Sequence, residues 1–141
     1  MATSQATANW KGNKDGEGKL AFTGYEGKYT FASRFEDAEG TNPEELVGAA
    51  LAGCYTMFMA VLLTKENLDP ENIDTKATVT LGKDDSGPHI QEIVLDCKVT
   101  CSGLDNDKLQ ELAAISKEKC PISRLYAGGT ATIKVNAELV G

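Results

Sequence analysis

The chain is poor in positive charge. Its 141 residues carry 14 lysines and arginines against 21 aspartates and glutamates, a net charge of −7 with a pI near 4.7. No basic cluster breaks that acidity, which excludes nucleic acid and anionic membrane as partners. It has one histidine, His89, at an expected turn–strand junction, so His89 reads as a surface residue and a cysteine–histidine pair is unsupported. A four-cysteine zinc site fits the cysteine spacing poorly. Repeats, low-complexity tracts and linkers are absent, and the polar segment Met1–Trp10 lacks the apolar core of a secretory signal. The expectation is one domain over residues 1–141 in the cytoplasm, where four cysteines do not form a structural disulfide set.

What is present is an ordinary globular balance, 41% hydrophobic and 25% charged, enough to build a core. Ala6–Trp10 and Lys19–Thr23 are weak strand candidates around the turn-like Lys11–Gly16. Tyr29, Phe31, Ser33 and Phe35 alternate with Thr30, Ala32 and Arg34, which predicts a half-buried strand. The period then changes. Asn42, Pro43, Glu44 and Glu45 supply a cap, a proline at the first helical position and first-turn acids. No residue from Leu46 to Thr64 is charged, and Asn67 and Pro70 supply stop signals.

About 18 apolar residues suffice to span a bilayer. Here Gly48, Gly53, Cys54, Tyr55, Thr56 and four alanines interrupt the run, and flanking anchors are missing. A helix apolar all round must be covered on every side, so a buried central helix packed between the sheets of two subunits is expected. Beyond it, Thr75, Ala77, Val79 and Leu81 share one strand face, and Ile93, Leu95, Cys97, Val99 and Cys101 share another. Leu104–Lys119 reads as a helix capped by Asp105 or Asn106. Ala131, Ile133, Val135, Ala137 and Leu139 point inward from a last strand. The order βββ-α-ββ-α-β, in antiparallel-rich sheets around a long helix, makes an α+β protein.

Two cysteines stand in informative contexts. Cys54 has Val47, Ala50, Leu51, Met57, Phe58 and Val61 as helical neighbours. Free cysteine usually packs as a small hydrophobe, and burial raises a thiol's pKa, so a functional Cys54 needs a cation nearby. Cys120 precedes Pro121, which ends one helix and suits the first position of another, Pro121–Tyr126. Cys120 is then either a cap-position thiol facing free N–H groups or simply a small residue closing a helix. Cys97 and Cys101, about 13 Å apart on a strand, cannot bond each other and belong to the core.

Arginine is scarce: Arg34 and Arg124 are the only two. Arg34, just upstream of the central helix, reads as functional, and Arg124 as a solvated guanidinium. Glu44 lies about 15 Å along the helix from Cys54. It acts by orienting an arginine or by reaching a partner's thiol, or else is a first-turn acid like Glu45.

Arg34-Phe35-Glu36, Gly40-Thr41-Asn42-Pro43-Glu44-Glu45-Leu46, Gly48-Ala49-Ala50, Cys54 and Cys120-Pro121-Ile122-Ser123 together resemble the OsmC/Ohr family of thiol peroxidases. The likeness covers essentially the whole chain and is nearer the OsmC branch. It implies an intertwined homodimer with Cys54 as peroxidatic and Cys120 as resolving cysteine, Arg34 stabilising the thiolate, and Glu44 fixing that arginine. It further implies organic hydroperoxides as substrates, a lipoyl-type dithiol as reductant, and no metal, haem or flavin. Leu51, Met57 and Phe58 are expected to line an alkyl pocket. A non-enzymatic thiol redox sensor or small-ligand-binding dimer is the alternative.

Overall fold

The computed structural model describes residues 1–141 as two compact units, Met1–Glu45 and Leu46–Gly141. In the first, β1 (Ala6–Lys11), β2 (Glu17–Phe22) and β3 (Tyr25–Thr30) form an antiparallel meander, with Ala8 opposite Leu20 and Leu20 opposite Gly27. The expected continuation of β3 through Phe35 does not occur. Phe31–Phe35 is instead a short helix, α1. Thr30 Oγ1 accepts from Ser33 N (2.9 Å), and Ser33 Oγ accepts from Thr30 N (2.8 Å), a reciprocal cap that turns the chain out of the sheet. Phe31 and Phe35, which fit a period of two, also fit one helical turn, and their rings meet at 4.8 Å.

Ser33 Oγ also donates to Thr41 O (2.8 Å), and Thr41 N donates to Lys28 O (2.8 Å). Between them Gly40 has φ 129°, and a Cβ there would meet Lys28 O at 2.8 Å, so only glycine fits this close return of the chain. That return delivers the start of α2 (Pro43–Lys65), where Asn42 Oδ1 accepts from Glu45 N (2.8 Å). The helix stops at Asn67, φ 59°, with Leu68 N bonded back to Leu63 O (3.0 Å).

In the second unit β4 (Asn72–Asp84) and β5 (Gly87–Thr100) form a long hairpin, and β6 (Thr132–Leu139) lies parallel to β5. A parallel neighbour requires a crossover, here made by α3 (Asn106–Lys119) and α4 (Pro121–Tyr126). Asp105 caps α3, its carboxylate accepting from Lys108 N (2.8 Å). Ile93, Leu95, Cys97 and Val99 form the inner face of β5 and join Leu109, Leu112 and Ala113 of α3 in one core. His89 lies within β5, half-buried, with Nδ1 3.5 Å from Asp84.

Helix α2 completes that core with Gly48, Leu51, Tyr55, Met59 and Leu63. Gly48 brings α2 down onto the sheet, since a Cβ there would lie 2.9 Å from Val79 Cγ2. Thr56 Oγ1 and Thr75 Oγ1 join the two elements at 2.7 Å. By length and composition α2 could cross a membrane, yet this stripe is core. The expected cover for this helix comes from two subunits, and a single chain supplies it on one side only. Ala50, Gly53, Met57, Val61 and Thr64 form the opposite stripe and are exposed, Met57 to 70%. One chain is too small to wrap both sides of a 23-residue helix.

Candidate active site

Of the residues singled out in the sequence, Arg34 and Glu44 belong to the first unit and meet there. Arg34 Nε donates to Glu44 Oε1 (3.1 Å) and Oε2 (3.2 Å), and Nη2 donates to Oε1 at 2.5 Å. The Phe35 ring lies 5.1 Å from the guanidinium carbon. Held on one edge by a carboxylate and on one face by a ring, the guanidinium makes no hydrogen bond through Nη1. Short helix α1 presents Arg34 and the first turn of α2 presents Glu44, so the Gly40 return described above sets this pair.

Cys54 and Cys120 belong to the second unit, and they meet as well. Cys54 is half-buried on α2. Burial pushes its thiol up, the Ile122 backbone N–H within hydrogen-bonding reach pulls it down, and the adjacent Cys120 thiol pushes it up again. Cys120 is fully buried and caps α4, its Sγ accepting from Ser123 N at 3.4 Å. Pro121 occupies the first helical position and the next two free amides, Ile122 and Ser123, serve one sulfur each. Two thiols 66 positions apart (120 − 54) thus share the first turn of α4.

Leu51, Met57 and Phe58 do not share a face of α2. Leu51 is core, Phe58 is half-buried beside it, and Met57 opens outward. Cys97 and Cys101 are free and buried. Cys97 faces Tyr55, whose hydroxyl is buried without an oxygen or nitrogen partner, and burial pushes that phenol up beyond any physiological ionisation. No cluster of three His, Cys, Asp or Glu side chains converges on a metal-sized site.

Sequence reasoning missed Tyr126. Its hydroxyl donates to Val47 O (3.2 Å), joining α4 to α2. Nothing in the local pattern announces it: a tyrosine closing a six-residue helix reads equally well as packing.

Comparison with known proteins fits this arrangement. The sequence profile described as "OsmC-like protein" matches residues 36–136. Peroxiredoxin OsmC of Escherichia coli strain K12 is 37% identical over 122 residues, 84% of this chain and 85% of that one. Organic hydroperoxide resistance protein OhrB of Bacillus subtilis strain 168 is 31% identical over 93 residues, 66% and 67% of the two chains. The crystal structure of that OhrB superposes with TM-score 0.67 at 26% identity, covering 96% of this chain and 98% of that one. An OsmC-like protein from Mycoplasma pneumoniae superposes with TM-score 0.80 at 17% identity, covering 99% of each. Profile, sequence identity over most of the chain, and backbone therefore agree, and the chain belongs to the OsmC-like family.

Proposed function

We propose that the protein is a thiol-dependent peroxidase that reduces organic hydroperoxides to alcohols. The observation that carries the reading is the meeting of Cys54 with Cys120 at the first turn of α4, where Ser123 N donates to the Cys120 sulfur and the Ile122 N–H lies beside Cys54. The names of the relatives, a peroxiredoxin and an organic hydroperoxide resistance protein, point the same way.

The chemistry balances with the chain's own groups. The Cys54 thiolate attacks one peroxide oxygen, the O–O bond breaks, and the alkoxide leaves and takes a proton to become the alcohol. The sulfur, oxidised by two electrons, is now a sulfenic acid. The Cys120 thiol attacks that sulfur, forming an S–S bond and releasing water. A dithiol of the lipoyl type then reduces the disulfide through a mixed disulfide and ends as a cyclic disulfide. The family resemblance assigns to Arg34, gripped by Glu44, the cation that a thiol pushed up by burial requires. Of the apolar residues around Cys54 on α2, half-buried Phe58 is the one placed to receive the alkyl group, because Leu51 is closed in the core and Met57 faces outward.

Cys120→Ser isolates the first half of this cycle. The variant consumes about one equivalent of tert-butyl hydroperoxide per chain, accumulates a dimedone-reactive Cys54, and does not turn over with dihydrolipoamide. Sustained wild-type turnover with that pair is the primary test. One oxidation per chain with no turnover would make the protein a redox sensor instead.

The reading includes a homodimer. The exposed stripe of α2, Ala50, Gly53, Met57, Val61 and Thr64, recurs at helical spacing opposite the core stripe, and its small residues let a second helix approach closely. A second copy of the chain is the occupant we assign to it. Light scattering should give 2 × 15.0 = 30.0 kDa for the wild type and a mass moving toward one chain for Met57→Glu. A monomeric wild type would reject the assignment.

A further inference from the structure

We propose that the Tyr126 hydroxyl is a positioning group that holds the register between α4 and α2, and thereby the approach of Cys120 to Cys54. The proposal rests on the two-cysteine reading above. Its basis is a two-point attachment. Val47 and Cys54 are seven residues apart on α2, which places them within about 20° of the same face and about 10.5 Å apart along the axis. Cys120 and Tyr126 are six residues apart across α4, about 9 Å. Cys120 reaches Cys54 at one end, and Tyr126 O–H reaches Val47 O at the other, 3.2 Å away. The spans match when the short helix lies antiparallel along α2.

Both ends are needed. A six-residue helix is well below the length that holds together on its own, so its placement comes from tertiary contacts. At the Cys120 end the Ile122 N–H lies within reach of Cys54, while the bond from Ser123 N to Cys120 Sγ is internal and sets the cap rather than the docking. Ile122 and Tyr126 pack against the core, but packing tolerates sliding that a directional bond does not. Val47 O can accept the phenol in addition to its own helical bond, because a carbonyl has two lone pairs. Burial keeps the phenol protonated, hence a donor. Tyr126 touches no reacting atom; it acts through α4.

Tyr126→Phe keeps the ring and removes only the bond. After mixing with one equivalent of tert-butyl hydroperoxide, we expect Cys54 sulfenate, trapped with dimedone, to form at the wild-type rate. Formation of the Cys54–Cys120 disulfide should slow about three- to tenfold, the effect of one neutral hydrogen bond, so that sulfenate accumulates transiently. Hydrogen exchange at the Ile122 and Ser123 amides should quicken by a similar factor while α3 amides do not change, a readout that also serves if the variant is less stable. A wild-type rate of disulfide formation in Tyr126→Phe overturns the tether, and so does equal slowing of both steps. A wild-type protein that never forms this disulfide overturns the two-cysteine reading itself, and the tether's role with it.

Discussion

Cys54→Ser will remain folded and will lose turnover of alkyl hydroperoxides by at least about a thousandfold, the scale on which removal of a covalent nucleophile acts. Two properties of the site underlie that size. A serine hydroxyl is not ionised at neutral pH, and its oxygen cannot carry the two-electron oxidation that makes a sulfenic acid. The change is also nearly isosteric at a half-buried position, so the fold should survive. Assays with tert-butyl hydroperoxide and dihydrolipoamide, alongside a thermal melt, separate lost chemistry from lost structure. Residual turnover within tenfold of wild type would remove Cys54 from the mechanism.

Arg34→Met should lower the rate constant of the first step about a hundredfold, comparable to removing one preorganised electrostatic donor at other active sites. The pH dependence gives the sharper signature. Burial pushes the Cys54 thiol up, so little thiolate exists at neutral pH unless a cation offsets it. The first-step rate follows the thiolate fraction, climbing with pH through the thiol's pKa and levelling above it. A guanidinium that favours the charged form lowers that midpoint; without it, the midpoint moves to higher pH and the variant partly recovers in alkali. Stopped-flow oxidation across the neutral range measures both effects. Glu44→Gln should fall between Arg34→Met and wild type, because a neutral amide still accepts a hydrogen bond but no longer clamps the fork. An Arg34→Met profile superimposable on wild type would assign the cation elsewhere.

Where local chemistry decides the backbone, the sequence reads clearly. Pro121 predicts α4 to its residue boundaries, Asn42 and Pro43 predict the start of α2, and of the two candidates Asp105 and Asn106 the first caps α3. The inner faces of β5 and β6 follow from alternation alone. Phe31–Phe35 misleads because two aromatics four apart satisfy either period, and the deciding Thr30–Ser33 cap uses a serine where glutamate or glutamine is usual. Within one chain the uncharged run of α2 is buried on the Leu51 side, and its other stripe is left open; how much of a helix one chain can cover is a matter of size, not of pattern. Resemblance names Cys54 and Cys120, but the amides of Ile122 and Ser123 that address each sulfur emerge only with α4 in place. The Tyr126–Val47 bond joins residues 79 apart and leaves no trace in either neighbourhood.

In the proposed cycle, the unequal depth of the two sulfurs sets a direction. Cys120 has no surface exposed at all, whereas Cys54 is partly open. Once the pair has oxidised, a thiol arriving from solution can strike only the Cys54 side, and Cys120 must be the one expelled. Its emerging negative charge is received by the Ser123 amide already aimed at it. Wild-type protein oxidised with hydroperoxide and then given a monothiol should accordingly carry the adduct on Cys54. The geometry of a six-residue helix cap thus decides which end of the bond is the door and which is the hinge.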